Sequence, residues 1–122
     1  MNKHLMVATI VGTLALTSLP SFAHSKEKGP IHYSGPVEIT TIKAINANTK
    51  TFSDNDVIVE GTLTKQLAAD QFMFNDGTGE ILIDLDDINI QSPIDQTTRV
   101  RLFGEYEGGA KPEIEVDHLI LL

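Results

Sequence analysis

Val57-Ile58-Val59-Glu60-Gly61-Thr62-Leu63-Thr64, Phe72-Met73-Phe74 and Ile81-Leu82-Ile83-Asp84-Leu85 decide the fold of this chain. Val57, Val59 and Leu63 fall on one side of the first segment, with Glu60, Thr62, Thr64 and Gln66 on the other. This period of two is what a strand with one buried face requires. Gly61 lies on the apolar side, where a missing side chain lets a strand coil sharply. Phe72 and Phe74 share a face of the second segment, and Ile81, Ile83 and Leu85 share a face of the third. Between them, Asn75-Asp76-Gly77-Thr78-Gly79-Glu80 forms a turn whose need for positive φ is met by Gly77 and Gly79. The three segments make a curved antiparallel meander.

Toward the C-terminus the alternation lapses over Ile88-Asn89-Ile90-Gln91-Ser92-Pro93-Ile94. Pro93 argues against a central strand, and the length suits a connection across one end of a barrel. A fourth strand runs from Arg99 to Glu107, with Val100, Leu102, Gly104 and Tyr106 on one face and Arg99, Arg101, Phe103 and Glu105 on the other. Gly108-Gly109-Ala110-Lys111-Pro112 turns the chain into a fifth, Glu113 to Leu122, in which Ile114 and Val116 alternate with acids. Its tail, Leu119-Ile120-Leu121-Leu122, is apolar on both faces, so one side is expected to be covered by the helix or by another chain. A meander, a crossing connection and a closing hairpin give a mainly all-β, five-stranded Greek-key barrel in the order of an oligonucleotide/oligosaccharide-binding (OB) fold.

Toward the N-terminus, Ile39, Ile42 and Ile45 recur at three-residue spacing before Asn46-Ala47-Asn48, which predicts a short amphipathic helix. Its β-branched residues make it weak alone, so it is expected to dock on the barrel. Residues 24–34 carry charge, glycine and proline with little to bury and read as a flexible leader. Residues 1–23 have the pattern of a cleaved signal peptide: Lys3 and His4, an apolar run from Leu5 to Leu19, then Pro20-Ser21-Phe22-Ala23. Thr9, Gly12, Thr13, Thr17 and Ser18 dilute that run below what a membrane span needs. Absence of cysteine after it excludes lipidation there. The expected organisation is a signal at 1–23, a leader at 24–34 and one OB-fold domain at 35–122, exported with no membrane span after cleavage.

The chain has no cysteine, so its small core must hold by packing alone. Its net charge is −8. Lys3 is the one Lys or Arg before Ala23, so processing makes the balance more negative still. Such a surface repels nucleic acid and anionic lipid at long range and favours a cationic partner.

These residues resemble the bacterial OB-fold proteins of the YgiW/YdeI stress-tolerance type over about Gly35 to Leu122. The resemblance rests on Gly35-Pro36, Thr41-Ile42-Lys43-Ala44, Asp54-Asn55-Asp56-Val57 leading into Val59-Glu60-Gly61, Phe72-Met73-Phe74-Asn75-Asp76 with Thr78-Gly79-Glu80-Ile81, and Gly104-Glu105. Where that family commonly carries tryptophan and glycine after the third strand, this chain reads Ile88-Asn89-Ile90-Gln91. Where the family commonly has an aspartate soon after the Gly-Glu of the fourth strand, it reads Tyr106-Glu107-Gly108-Gly109. The resemblance implies a non-enzymatic periplasmic role in tolerance of stresses such as peroxide, metals or acidity.

The outer face of strands two and three would present Gln71, Met73, Asn75, Leu82, Asp84 and Asp86. Single-strand binders stack bases on rings and track phosphates with cations, and this face offers neither. Arg99, Arg101 and Phe103 form the basic and aromatic group, and an arginine pair balancing acids on a neighbouring strand explains them without a ligand. Candidate ligand-contacting residues are therefore Met73, Asn75, Leu82, Asp84, Arg99, Arg101 and Phe103. Asp84, Asp86 and Asp87 are candidate ligands for a hard cation, Asp84 and Asp86 lying about 7 Å apart on one strand face and needing a further oxygen such as Asp87, although far more often such a run is a solvated strand end that blocks edge pairing. Asp76-Gly77-Thr78-Gly79-Glu80 lacks the lysine and following helix of a phosphate loop. His32 and His118 are too far apart in sequence to argue a shared site, and His118 reads as a strand-surface residue. Without cysteine, a Gly-x-Ser-x-Gly elbow or a His-Glu-x-x-His helix, no enzyme and no cofactor are expected.

The expected function is a periplasmic binding module that supports envelope stress tolerance by taking a small cationic or polar molecule or an envelope component. The alternatives are a divalent-cation-binding protein using Asp84, Asp86 and Asp87, and an adaptor docking a protein partner through the apolar C-terminal strand.

Overall fold

The computed structural model describes Gly12, Ile31, residues 33–52 and residues 55–122. Apart from Gly12, the signal peptide expected at 1–23 lies outside the described residues, as does most of the leader. From Ile42 onward the elements are α1 (Ile42–Ala47), α2 (Thr49–Phe52), β1 (Asn55–Gln66), β2 (Gln71–Asn75), β3 (Glu80–Asp84), β4 (Val100–Glu107) and β5 (Glu113–Leu121). The strands close into a barrel in the order β1-β2-β3-β5-β4. All neighbours are antiparallel except β3 and β5, which meet in parallel over Leu82–Asp84 and Glu113–Glu115. This is the OB topology expected from the order of the strands.

Alternation fills the barrel. Val57, Val59 and Leu63 of β1, Phe74 of β2, Ile81 and Ile83 of β3, Val100, Leu102 and Tyr106 of β4, and Ile114 and Val116 of β5 are all buried in one cluster. β1 is long enough to serve two partners, its first half pairing with β4 and its second with β2. The bend between them comes at Gly61, where an added Cβ would run into the backbone carbonyl of Asn75. Gly104 plays the same part on β4 against the Glu115 carbonyl, next to a shift of register between Phe103 and Gly104. Absent side chains at these two sites let the strands cross closely enough to close the cylinder.

α1 plugs one end. Ile42 and Ile45 are fully buried in the barrel cluster, whereas Ile39, expected on the same helical face, precedes the helix and is 38% exposed. A six-residue helix cannot stand alone, and the β2–β3 turn completes it. Thr41 Oγ1 accepts from the Ala44 amide as the N-cap. The Asp76 carboxylate accepts from the Ile42 amide at 2.9 Å, and Thr78 Oγ1 accepts from the Lys43 amide at 3.1 Å. Asn46 donates back to the Glu80 carbonyl. The turn thus supplies the oxygens that the first helical amides lack.

The same carboxylate also receives the Thr78 hydroxyl and the Thr78 and Gly79 amides. Partial burial works to raise the Asp76 pKa, but the hydrogen bonds from Thr78, Ile42 and Gly79 together outweigh it and hold it below its ordinary value. Gly77 has the positive φ expected, at 87°, but Gly79 does not. Gly79 is needed for room instead: a Cβ there would lie 3.3 Å from Ile42 Cγ2 of the docked helix.

Candidate functional site

The strand order separates the seven residues that the sequence offered as ligand contacts. Met73 and Leu82 face each other across β2 and β3, while Asn75 and Asp84 lie at opposite ends of the same two strands. All four are half-buried. Asn75 is occupied by the hairpin, its Oδ1 accepting from the Gly77 amide at 2.7 Å. Arg99, Arg101 and Phe103 belong to the other side of the barrel, since β1 intervenes between β4 and β2 and β5 between β4 and β3.

On that side the balanced-pair explanation fits the geometry. Arg101 stands opposite Glu60 in the β1–β4 register. Its Nε and Nη2 reach Glu60 Oε1 at 2.9 and 2.8 Å, and Arg99 lies 4.0 Å from the other oxygen. The Phe103 ring packs on His118, centroids 5.5 Å apart, across the β4–β5 pair. His118 is a half-buried strand residue against a ring. Among the described residues these arginines make the ion pairs, Arg101 closely and the exposed Arg99 at longer range, both on Glu60.

The three aspartates are arranged differently from the strand picture. β3 ends at Asp84, and Asp86 and Asp87 form a turn after it, in which the Asp86 amide donates to Asp84 Oδ1 at 2.9 Å. Asp84 and Asp86 are thus turn partners rather than neighbours on one strand face, because the chain leaves the sheet between them. Among the described residues no group of three His, Asp or Glu side chains is gathered closely enough to hold a metal ion. Asp70 of the β1–β2 loop joins the cluster instead. It is the strongest influence on Asp86, followed by Asp84 and Asp87, and their repulsion pushes the Asp86 carboxyl above its ordinary value. Glu115, which faces Asp84 across β3 and β5, is likewise raised, first through its hydrogen bond and repulsion with Glu107 and then through Asp87 and Asp117.

The end of the barrel opposite α1 carries concave surface that sequence reasoning missed. The β1–β2 loop is tight: the Leu67 and Ala68 amides donate to the Gln71 carbonyl. The Leu85 amide then donates to the Asp70 carbonyl at 2.7 Å, tying the end of β3 to that loop. From Leu85 the chain crosses the barrel mouth without a helix and is pinned before β4 by Asp95. The Asp95 carboxylate accepts from Thr97 and Thr98, and bonding from the Thr97 hydroxyl leads in lowering its pKa. Between loop and crossing chain lies a cleft of about 390 Å³ with Phe72, Leu85, Ile88, Ile90 and Ile94 in its walls and Asp70 and Asp86 beside them. A second cleft of about 310 Å³ shares Phe72 and Ile94 and is lined also by Leu63, Lys65 and Asp95. The signal for this site was the repeated isoleucine in a connection that had no strand to build.

A closed five-stranded barrel with a meander and a parallel β3–β5 seam defines an OB-fold protein. By sequence the chain belongs to the bacterial OB fold (BOF) protein family, whose model matches residues 17–121. It is 26% identical over 106 residues to the calcium-regulated OB-fold protein CarO of Pseudomonas aeruginosa, covering 86% of this chain and 83% of that one. An uncharacterized protein of Haemophilus influenzae is 26% identical over 123 residues, covering 96% and 94%. Among solved structures, the hypothetical protein ygiW of E. coli matches with a TM-score of 0.62 at 23% identity, over 76% of this chain and all of that one. No enzymatic activity is named among these relatives.

Proposed function

We propose that this protein is a non-enzymatic periplasmic binding module that supports tolerance of envelope stress, with a small cationic or polar molecule as its ligand. The observation that carries the ligand class is the pattern of charge. Carboxylates gather at the cleft end and beside β5, where Asp70, Asp84 and Asp87 raise Asp86 by repulsion, and a hydrogen bond and repulsion from Glu107 raise Glu115, while Arg101 is paired with Glu60 at another part of the barrel. A cation binding among those acids relieves repulsion, whereas an anion adds to it. The export pattern at 1–23 supports the periplasm, and the stress role follows the resemblance to the YgiW/YdeI type.

Two measurements test this reading together. Mass spectrometry of the protein from osmotic-shock fluid is expected to find a chain beginning after Ala23. Native mass spectrometry of the same sample is expected to find a basic or neutral polar molecule released on denaturation. Intact Met1 in the soluble cytoplasm, or an anionic ligand, would overturn it. A divalent-cation reading draws on Asp84, Asp86 and Asp87, and calorimetry with calcium separates it from the first.

A further inference from the structure

Resting on the reading of a cationic ligand, we propose that the 390 Å³ cleft at the barrel mouth is the site and that its occupant is an aliphatic ammonium: an alkyl stem against Phe72, Ile88 and Ile90, with the charged head at Asp70 and Asp86. The two halves of the cleft ask for the two halves of that molecule. Its walls come from Phe72 and the crossing connection, where isoleucines serve no strand and are only half-buried. Apolar surface left in a concave site of this size gains by covering it with hydrocarbon. Its acids lack a lysine or arginine among the described ion pairs. Asp70 and Asp86 both line the cleft, close enough to share a hydrogen bond as well as to repel, so one positive head between them serves both.

Other occupants fit less well. A bare divalent ion wants six or more oxygens at short range, and the isoleucine walls supply none. An anion or nucleotide phosphate meets the same two carboxylates. A neutral hydrocarbon leaves them repelling. The cleft volume is that of a small-molecule site, and the loop on one wall is fixed to β3 through the Asp70 carbonyl and Leu85 amide, so it is already shaped.

The test is titration of the processed protein with butyl-, hexyl- and octylamine, the matching alcohols, and calcium, followed by amide NMR. Affinity for the amines is expected to rise about two- to fourfold per methylene until the walls are covered. Shifts should fall on Ala69–Phe72 and Leu85–Ile94. D70N/D86N is expected to weaken octylamine about fivefold or more and to flatten its salt dependence. Ile90→Ala should reduce the gain per methylene without disturbing the fold, since Ile90 lies outside the buried cluster. Alcohols binding as tightly as amines would overturn the proposal, as would shifts on Arg99–Phe103. Calcium binding without amine binding would also overturn it, yet leave the cationic reading standing. Failure of every cation would remove both.

Discussion

The two ends of the barrel solve the same problem in opposite ways. At one, α1 drives Ile42 and Ile45 into the core, and the β2–β3 turn answers the helix's free amides with Asp76 and Thr78. At the other, no helix among the described residues covers the mouth; a connection with half-buried isoleucines crosses it, and aspartates crowd beside them. The same residue type has opposite fates at the two ends. Asp76 is surrounded by donors and becomes a stronger acid; Asp86 is surrounded by acids and becomes a weaker one. A carboxylate ringed by donors marks the plugged end, and carboxylates set beside one another mark the open one.

The largest effect that can break this contrast comes from apolar truncation. Ile45→Ala removes a fully buried side chain from the plug and is expected to cost about 2–5 kcal/mol in urea unfolding. Ile90→Ala at the open mouth should cost about 1 kcal/mol or less, because its walls have room to settle. Similar costs at both ends would mean that the crossing connection is as much core as the helix.

Next in size is the cap. Asp76→Ala removes the acceptor shared by Ile42, Thr78 and Gly79 and is expected to lose about 1–2 kcal/mol. The pH dependence sharpens the test. A carboxyl whose folded pKa lies below its unfolded value contributes stability above the ordinary value of 3.8, and that contribution is lost as pH falls through the lowered one. The gap between wild type and variant should therefore be full at pH 6 and narrow in strong acid. A gap that stays constant across that range would show that the carboxylate's charge plays no part.

Which parts of this contrast the sequence could show depends on range. Strand alternation is local, so Val57, Val59, Ile81, Ile83, Leu102 and Ile114 could be assigned to the core from spacing alone, and the turns marked the meander and the closing hairpin. The plug was legible in Ile42 and Ile45, but its start was legible only in part: Thr41 caps it locally, whereas the Ile42 and Lys43 amides are answered by Asp76 and Thr78 more than thirty residues away. The same distance hid the second duty of a turn that its own glycines explained. The cleft was least legible: Asp70 and Asp86 meet through a loop and a turn, and no period links residues brought together only by barrel closure.

A smaller effect probes the sealed side of the barrel. Tyr106 is fully buried, yet its hydroxyl has no hydrogen-bond partner among the described residues. A buried polar group in that condition contributes its desolvation cost and nothing in return. Tyr106→Phe keeps the ring and is expected to leave stability unchanged or raise it by about 1 kcal/mol. Destabilisation of that size, seen by urea unfolding, would mean that the hydroxyl is bonded in solution and that the core here is polar.

The smallest effect carries the sign on which the contrast turns. Asp86 is an acid whose folded pKa is raised, so its linkage runs opposite to that of Asp76: the folded state is favoured at low pH, and that advantage disappears as pH rises through the raised value. Asp86→Asn removes the repulsion from Asp70, Asp84 and Asp87 and is expected to melt slightly above wild type at pH 7. That lead should fade below the carboxylate range, where wild type is protonated too, and shrink in added salt because exposed charges are screened. Asp76→Ala and Asp86→Asn should thus shift melting in opposite directions at pH 7, and both shifts should shrink in acid. If both variants instead melted below wild type at pH 7, Asp86 would be making bonds that hold the mouth together, and the two ends would no longer differ in kind.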